Sequence, residues 1–368
     1  MRAERPSVEP QRVGVIGLGW AGERHLKCYL GLPNVEVVAL AGLEEPRLHE
    51  LGQRYGVPNL HRDYVDLVAR DDLDAISICA PNHLHAPVAI AALESGKHVL
   101  CEKPLARTGA EAEEIVRTAR ETGRVVHIAF TQRERGDVQV LKRHILNGNL
   151  GRIYYVKATW MRRNGIPGMG SWFTNKEMAG GGPLIDLGVH MIDMALFLMD
   201  EPEIESVSCA TYAELGPQGR GGRGDGKTIV GDAYDVEDLA TAFIRVSGGA
   251  TLNLEAGWAA YRESSDDFGL TLYGTDGGAE MRVRNYGTQD TVRIYTDVDG
   301  VPAVVVPEIE PREGHLTVVR RFVETIRSGE WHGQVGEEGL RRARIIDACY
   351  ISALEQREIS LDIHPGSR

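Results

Sequence analysis

The chain has 368 residues, 42% hydrophobic and 26% charged, an ordinary balance for a folded globular protein and long enough for two domains of ~100–200 residues. Its formal net charge of −12 argues against a nonspecific nucleic-acid binder, which usually carries a basic field. Cys28, Cys79, Cys101, Cys209 and Cys349 are odd in number, scattered and without C-x-x-C spacing, which excludes a disulfide framework and a zinc ribbon as expectations.

Residues 1–11 are polar and Pro-containing, lack the apolar core of a signal peptide and read as a disordered tail. No run approaches the ~18 continuous apolar residues of a membrane span, so the expected compartment is the cytoplasm. From Val13 the chain reads as a short apolar strand entering a G-x-G-x-x-G turn at Gly17, Gly19 and Gly22, followed by a helical segment over 23–30. Such glycines permit a tight turn, a close approach of backbone to pyrophosphate, and close packing of helix on strand. The helix N-terminus adds free N–H groups and a partial positive charge.

Strand-like and helix-like segments then alternate: strand 35–41, helix 45–55, a short helix 64–69, strand 75–80, helix 86–95, strand 98–101, helix 110–122 and strand 125–130. This alternation predicts βαβ units and a doubly wound parallel sheet of Rossmann type over 12–131. Strand-like runs follow one another beyond 151, at 153–160, 204–212, 239–246, 250–256, 270–274, 279–284 and 292–296. They predict a C-terminal α+β domain over 132–368, built on a largely antiparallel open sheet, with helices at 183–199 and 318–327. A last helix, about 337–355, is expected to pack on the first domain. The Gly-rich loop 216–231 holds a formal G-x-x-x-x-G-K-T match at 221–228, but neither flank supplies the strand and helix that a phosphate loop requires.

Three further features carry chemistry. Ala80-Pro81-Asn82-His83-Leu84-His85 and Glu102-Lys103-Pro104 each follow a predicted strand, where a doubly wound sheet binds its ligands. Gly180-Gly181-Gly182-Pro183 leads into a helix on which Asp186 and His190 are four residues apart and share one face, with Asp193 near it. Taken singly, each residue is better explained by a structural duty: Asp186 at a helix start, His190 in a core, Lys103 at a strand end.

Together these motifs resemble the glucose–fructose oxidoreductase/inositol dehydrogenase (Gfo/Idh/MocA) family over nearly the whole chain. The resemblance rests on Gly17-x-Gly19-x-x-Gly22-x-x-His25, Pro81-Asn82-x-x-His85, Gly96-Lys97-His98-Val99-x-x-Glu102-Lys103-Pro104 and Gly181-Gly182-x-x-x-Asp186-x-Gly188-x-His190-x-x-Asp193. Asp235-Val236-Glu237-Asp238 and Gly274-Thr275-x-Gly277-Gly278 are similar to family segments of the second domain. The resemblance implies an NAD(P)-dependent dehydrogenase or reductase acting on a secondary alcohol or ketone of a sugar, cyclitol or derivative. It also implies a homodimer or homotetramer formed through the C-terminal sheet, with no nucleic acid or membrane as partner. Lys103, Asp186 and His190 are then the catalytic set. Oxidising an alcohol requires an acceptor for its proton, and histidine, with a pKa of ~6.5, suits that duty. Lys103 would stabilise the developing oxyanion, and Asp186 would orient hydroxyls or the base.

The expected cofactor contacts are Gly17, Gly19, Trp20, Ala21, Gly22, Gly42, Glu44, Pro81, Asn82, His85, Glu102 and Lys103. A Rossmann site usually places an acid ~20 residues beyond the glycines, on the adenosine ribose, yet Gly42 stands there. Glu44 could reach the ribose and Arg47 a phosphate, so both NAD and NADP remain open, with a lean to NAD. Candidate substrate contacts are Arg133, Arg162, Arg163, Trp172, Tyr234 and Trp258. His83 and His85 lack companions at metal-ligand spacing, and no metal is expected. Two other readings are an NAD-using glycoside hydrolase on the same fold and a non-catalytic sugar or dinucleotide sensor; Lys103, Asp186 and His190 argue against the sensor.

Overall fold

The computed structural model describes residues 9–222, 234–263 and 265–361. The chain divides into two compact units. The first takes the chain up to Ala106, Ala110–Ala129 and His315–Leu340; the second takes Arg107–Gly109, Phe130–Gly314 and the chain from Arg341. Most of the expected tail, and the 221–228 loop match beyond Gly222, lie outside the described residues.

The first unit opens with β1 (Gln11–Ile16), α1 (Trp20–Leu30), β2 (Val35–Ala41), α2 (Glu45–Tyr55), β3 (Asn59–His61) and α3 (Tyr64–Val68). It continues with β4 (Ala75–Ile78), α4 (His85–Glu94), β5 (His98–Cys101), α5 (Gly109–Thr122) and β6 (Val126–Ile128). The strands lie in the order β3-β2-β1-β4-β5-β6, all parallel, the order of a doubly wound dinucleotide-binding sheet. Every residue of β4 and β5 is buried, because helices cover both faces of such a sheet and its central strands become continuous apolar runs. Strand β3 escapes a sequence reading because three residues cannot display a period. Gln11, expected in the tail, already pairs with Val35.

The second unit contains α6 (Gly136–Leu146), β7 (Ile153–Arg162), α7 (Lys176–Ala179), α8 (Val189–Leu198), β8 (Ile204–Tyr212), β9 (Leu239–Val246) and β10 (Ala250–Gly257). It goes on through β11 (Asp266–Gly274), β12 (Gly278–Arg284), β13 (Val292–Val298) and β14 (Val301–Val305). In chain order α9 (Gly314–Ser328) and α10 (Glu337–Glu355) follow, and β15 (Ile359–Ser360) is the last strand of the second unit. Nine strands lie in the order β14-β13-β12-β11-β7-β10-β9-β8-β15. All neighbours are antiparallel except β7 and β10. Burial alternates with the two-residue period of a strand: Val156, Ala158, Trp160 and Arg162 are buried on β7, whereas Lys157 is exposed. Helix α8 packs on the buried face, against β7, β10 and β11.

Three differences from the sequence reading have physical causes. Helix α9 belongs to the first unit, not to a domain running unbroken from 132 to 368. Its apolar stripe of Val318, Val319, Phe322, Val323 and Ile326 completes the core around Val13, Val15, Leu26 and Tyr29. Helix α10 contributes only its first turn to that unit; from Arg341 on it belongs to the second. The single helix expected over 183–199 is a π-helical turn, Leu184–Gly188, running into α8. The helical run 176–198 is long and apolar enough to cross a membrane by length and composition, but it is 89% buried and serves as a core helix.

Candidate functional site

In the first unit, the glycine turn joins β1 to α1. Gly17 has φ +88°, and a Cβ there would stand 2.3 Å from the Cys79 carbonyl oxygen; at Gly22 it would stand 1.8 Å from that of Gly17. Both positions are therefore fixed by packing of turn on sheet. A Cβ at Gly19, by contrast, would meet nothing within 4 Å. Gly19 is the N-cap of α1 and contributes no capping side chain. A dinucleotide pyrophosphate fits this open cradle at a helix N-terminus. Ala21 lies in the first turn of α1, and Trp20 beside it is 73% exposed.

Gly42 follows β2. A Cβ there would come within 2.9 Å of Leu18 Cδ1, so the position usually held by an acid is crowded by the glycine turn itself. Glu44 is the exposed N-cap of α2. The Arg47 guanidinium donates to Glu23, to Glu50 Oε2 at 2.9 Å and to the Leu18 carbonyl at 3.3 Å. Its charge is thus met by two carboxylates.

At the ends of β4 and β5, Asn82 and His85 are buried. The His85 ring bridges two loops: Nδ1 lies 2.7 Å from the Pro104 carbonyl oxygen and Nε2 2.8 Å from that of Ala80. It fixes the backbone on which Lys103 stands, so it acts on the site as a strap. Pro81 caps the short 3-10 turn holding Asn82. The Glu102 carboxylate faces His25 Nε2 at 3.1 Å and His315 Nε2 at 3.8 Å. Burial alone would raise its pKa, but the hydrogen bond and charge of His25, with His315 and Lys103, overcome this and hold it near about 2. Sequence reading missed His315: it lies over 200 residues from Glu102 and only α9's return brings it there.

In the second unit, Asp186 sits in the π-helical turn and His190 in the first turn of α8. Such turns recur at functional sites because they displace side chains from the regular helical path. The Trp258 indole donates to Asp186 Oδ2 at 2.8 Å. Burial works against the Arg162 charge, but Asp186 and Asp266 together raise its pKa. Arg162 also donates to Asp266 Oδ2 at 2.9 Å and to the Tyr286 hydroxyl at 3.2 Å. The ring of His190 lies 5.5 Å from that of Trp160, whose indole is anchored on Asp266 at 2.8 Å.

The approach to this turn is held by Glu237, to which sequence reading assigned no duty. Its carboxylate accepts from the backbone N–H of Gly182 and Leu184, each at 3.0 Å, and from the Tyr350 hydroxyl at 2.9 Å. A Cβ on Gly181 would stand 1.9 Å from that hydroxyl, which is why the segment is built of glycine.

Four expected substrate contacts have partners of their own within the second unit. Arg133 is buried and grips Asp193, with Nε to Oδ2 at 2.9 Å. Arg342 binds Asp193 from another side at 3.1 Å and Glu201 at 2.6 and 2.7 Å. Asp193 is therefore the hub of a buried ion network on the helix that carries His190. Tyr234 is buried on Gly216 and donates to the Glu237 carbonyl at 3.3 Å. Arg163 is exposed and donates to the Arg262 carbonyl at 3.0 Å. Trp172 stacks on Phe173 at 3.8 Å. Arg162 and Trp258 both act on Asp186, Trp258 by its indole hydrogen bond and Arg162 by its charge.

Residues 11–130 match the family described as "Oxidoreductase family, NAD-binding Rossmann fold", and residues 138–280 match the "GFO/IDH/MocA C-terminal domain". The chain is 33% identical over 349 residues to D-glucoside 3-dehydrogenase of Escherichia coli K12, covering 94% of this chain and 95% of that protein. It is 32% identical over 299 residues to levoglucosan dehydrogenase of Pseudarthrobacter phenanthrenivorans, covering 77% of this chain and 75% of the other. A solved structure of levoglucosan dehydrogenase in complex with NADH and L-sorbose superposes with a TM-score of 0.85 at 26% identity, covering 96% of this chain and all of that one. With its parallel dinucleotide-binding sheet, its open mixed sheet and these relatives, the chain belongs to the Gfo/Idh/MocA family of oxidoreductases.

Proposed function

We propose that this oxidoreductase transfers a hydride between NAD(H) and a secondary hydroxyl of a pyranoside sugar. The observation that carries the reading is Asp186, held in a π-helical turn by the Trp258 indole and supporting the Arg162 charge, one turn ahead of His190. A carboxylate so placed can accept hydrogen bonds from sugar hydroxyls. His190 takes the hydroxyl proton in oxidation and returns it in reduction. Lys103 stabilises the negative charge that grows on the substrate oxygen as the proton leaves. When bound, nicotinamide supplies the hydride acceptor or donor. Gly19 and the N-terminus of α1 hold the pyrophosphate, while His85 and Glu102 position the Lys103 segment. The relatives' names support a sugar ring as substrate. The expected compartment remains the cytoplasm.

The NAD preference follows from Arg47, whose two carboxylate partners leave it poorly placed to serve a 2′-phosphate. We assign self-association to the second sheet's other face, where Phe243, Tyr295 and Tyr212 are exposed and Tyr155 stacks on Tyr273 at 5.4 Å. The deciding experiment is a screen of methyl glucosides, levoglucosan and inositols with NAD+ and NADP+, following nicotinamide absorbance. Net reduction with a pyranoside supports the reading. Tight NADH binding without turnover of any polyol would overturn it.

A further inference from the structure

We propose that His25, Glu102 and His315 form a binding site for a divalent transition ion of the zinc class. The three side chains come from separate rigid elements of the first unit: α1, the end of β5 and the first turn of α9. One donor atom from each lies within 4.8 Å of the others. The Glu102 oxygen is 3.1 Å from His25 Nε2 and 3.8 Å from His315 Nε2. Zinc binds imidazole nitrogen at ~2.0–2.1 Å and carboxylate oxygen at ~2.0–2.2 Å, so neighbouring ligands around a tetrahedral ion stand about 3.4 Å apart. The two measured separations bracket that edge, and small side-chain movements would close the shell.

The chemistry of the donors agrees. Two imidazoles and a carboxylate are a known zinc ligand combination that leaves a fourth position for water or a small ligand. An outer partner that aims a ligand is present for His25. His25 is fully buried, and its Nδ1 meets Ser77 Oγ at 2.7 Å, which directs Nε2 to the ion. The His315 ring packs edge-on against Trp20, with centroids 5.3 Å apart. A sequence search for metal spacing stopped at His83 and His85 because these ligands are dispersed along the chain and meet only through the fold. The inference needs only this donor set; because Glu102 is shared with the segment that carries Lys103, the test is made on ion binding and not on turnover.

The test uses the full, untagged chain, stripped with chelator and titrated calorimetrically with zinc chloride without cofactor. One ion per chain is expected. Binding should weaken at least about 100-fold in His315→Gln, by loss of a direct ligand, and stay unchanged in His332→Gln, an exposed control. Cobalt(II) added to the wild-type chain gives a readout that does not depend on a variant's folding: intense visible absorption of a four-coordinate ion is expected. Absence of zinc binding, retention of full affinity in His315→Gln, or a weak six-coordinate cobalt spectrum would each overturn the assignment.

Discussion

Trp258, with no exposed surface, spends its single indole donor on Asp186 at 2.8 Å. The tryptophan follows β10, and its own backbone N–H is tied to the Asp238 carbonyl at 2.9 Å. The π-helical turn carrying Asp186 is thus referenced to the sheet through one hydrogen bond. Hydrogen bonds to charged groups contribute about 1.5–3 kcal/mol. Trp258→Phe should therefore lower kcat/KM roughly 10- to 100-fold with pyranoside substrates, while NADH affinity stays near the wild-type value. Steady-state kinetics beside NADH fluorescence titration checks this; an unchanged kcat/KM would remove Asp186 alignment from the mechanism.

His190 and Lys103 should separate by the steps they affect. With the proposed proton acceptor removed, His190→Ala should lose about 10²–10⁴-fold in turnover but retain NADH binding. In the proposed mechanism Lys103 is the cation that stabilises the growing oxyanion, so Lys103→Met should cost about 10²–10³-fold. Single-turnover measurements of hydride transfer give both values. Near-normal rates in His190→Ala would assign the proton to another group.

Much of this architecture could be read from residue pattern, because the first sheet repeats one unit of apolar strand, glycine or proline turn and amphipathic helix. Helix α2 and strands β8 and β9 fall on their predicted boundaries. What escaped is long-range. The α9 stripe reads as an ordinary amphipathic helix, and nothing local says that its partners are Val13 and Leu26 from the other end of the chain. Asp186 and His190 were visible as a spaced pair, yet the π-helical turn was not, since it depends on Glu237 and Trp258 gripping the segment from outside. For Arg133 the sequence shows a charge without its partner; Asp193 supplies that partner 60 residues later.

The proposed preference for NAD rests on the acids gathered around Arg47. Glu23 and Glu50 both accept from its guanidinium, and Glu44 and Glu45 stand at the start of the same helix. An added 2′-phosphate would meet more acid than free base, so NADH should bind at least about tenfold more tightly than NADPH, a difference of about 1.4 kcal/mol. Arg47→Ala should leave that ratio almost unchanged, because the arginine is already neutralised. Parallel fluorescence titrations decide the matter. A selective loss of NADPH affinity in Arg47→Ala would show the arginine serving the phosphate after all.

Glu23 makes the first unit's stability depend on acid. The Tyr55 hydroxyl at 2.7 Å, the Lys27 ammonium at 2.9 Å and the Arg47 guanidinium, all in direct contact, outweigh burial and hold its carboxyl down at about 2. The folded value lies below the ordinary 4.5. The contribution to stability is therefore complete above pH 4.5 and is lost as pH falls towards 2. The carboxylate is only 16% exposed, so solvent screens it partially, and Glu23→Gln should cost about 1–2 kcal/mol at pH 7. Urea unfolding of both proteins at a series of pH values measures this. The wild-type advantage should shrink steadily below pH 4.5; an advantage that persists undiminished at pH 2 would mean that Glu23 acts through packing and not through its charge.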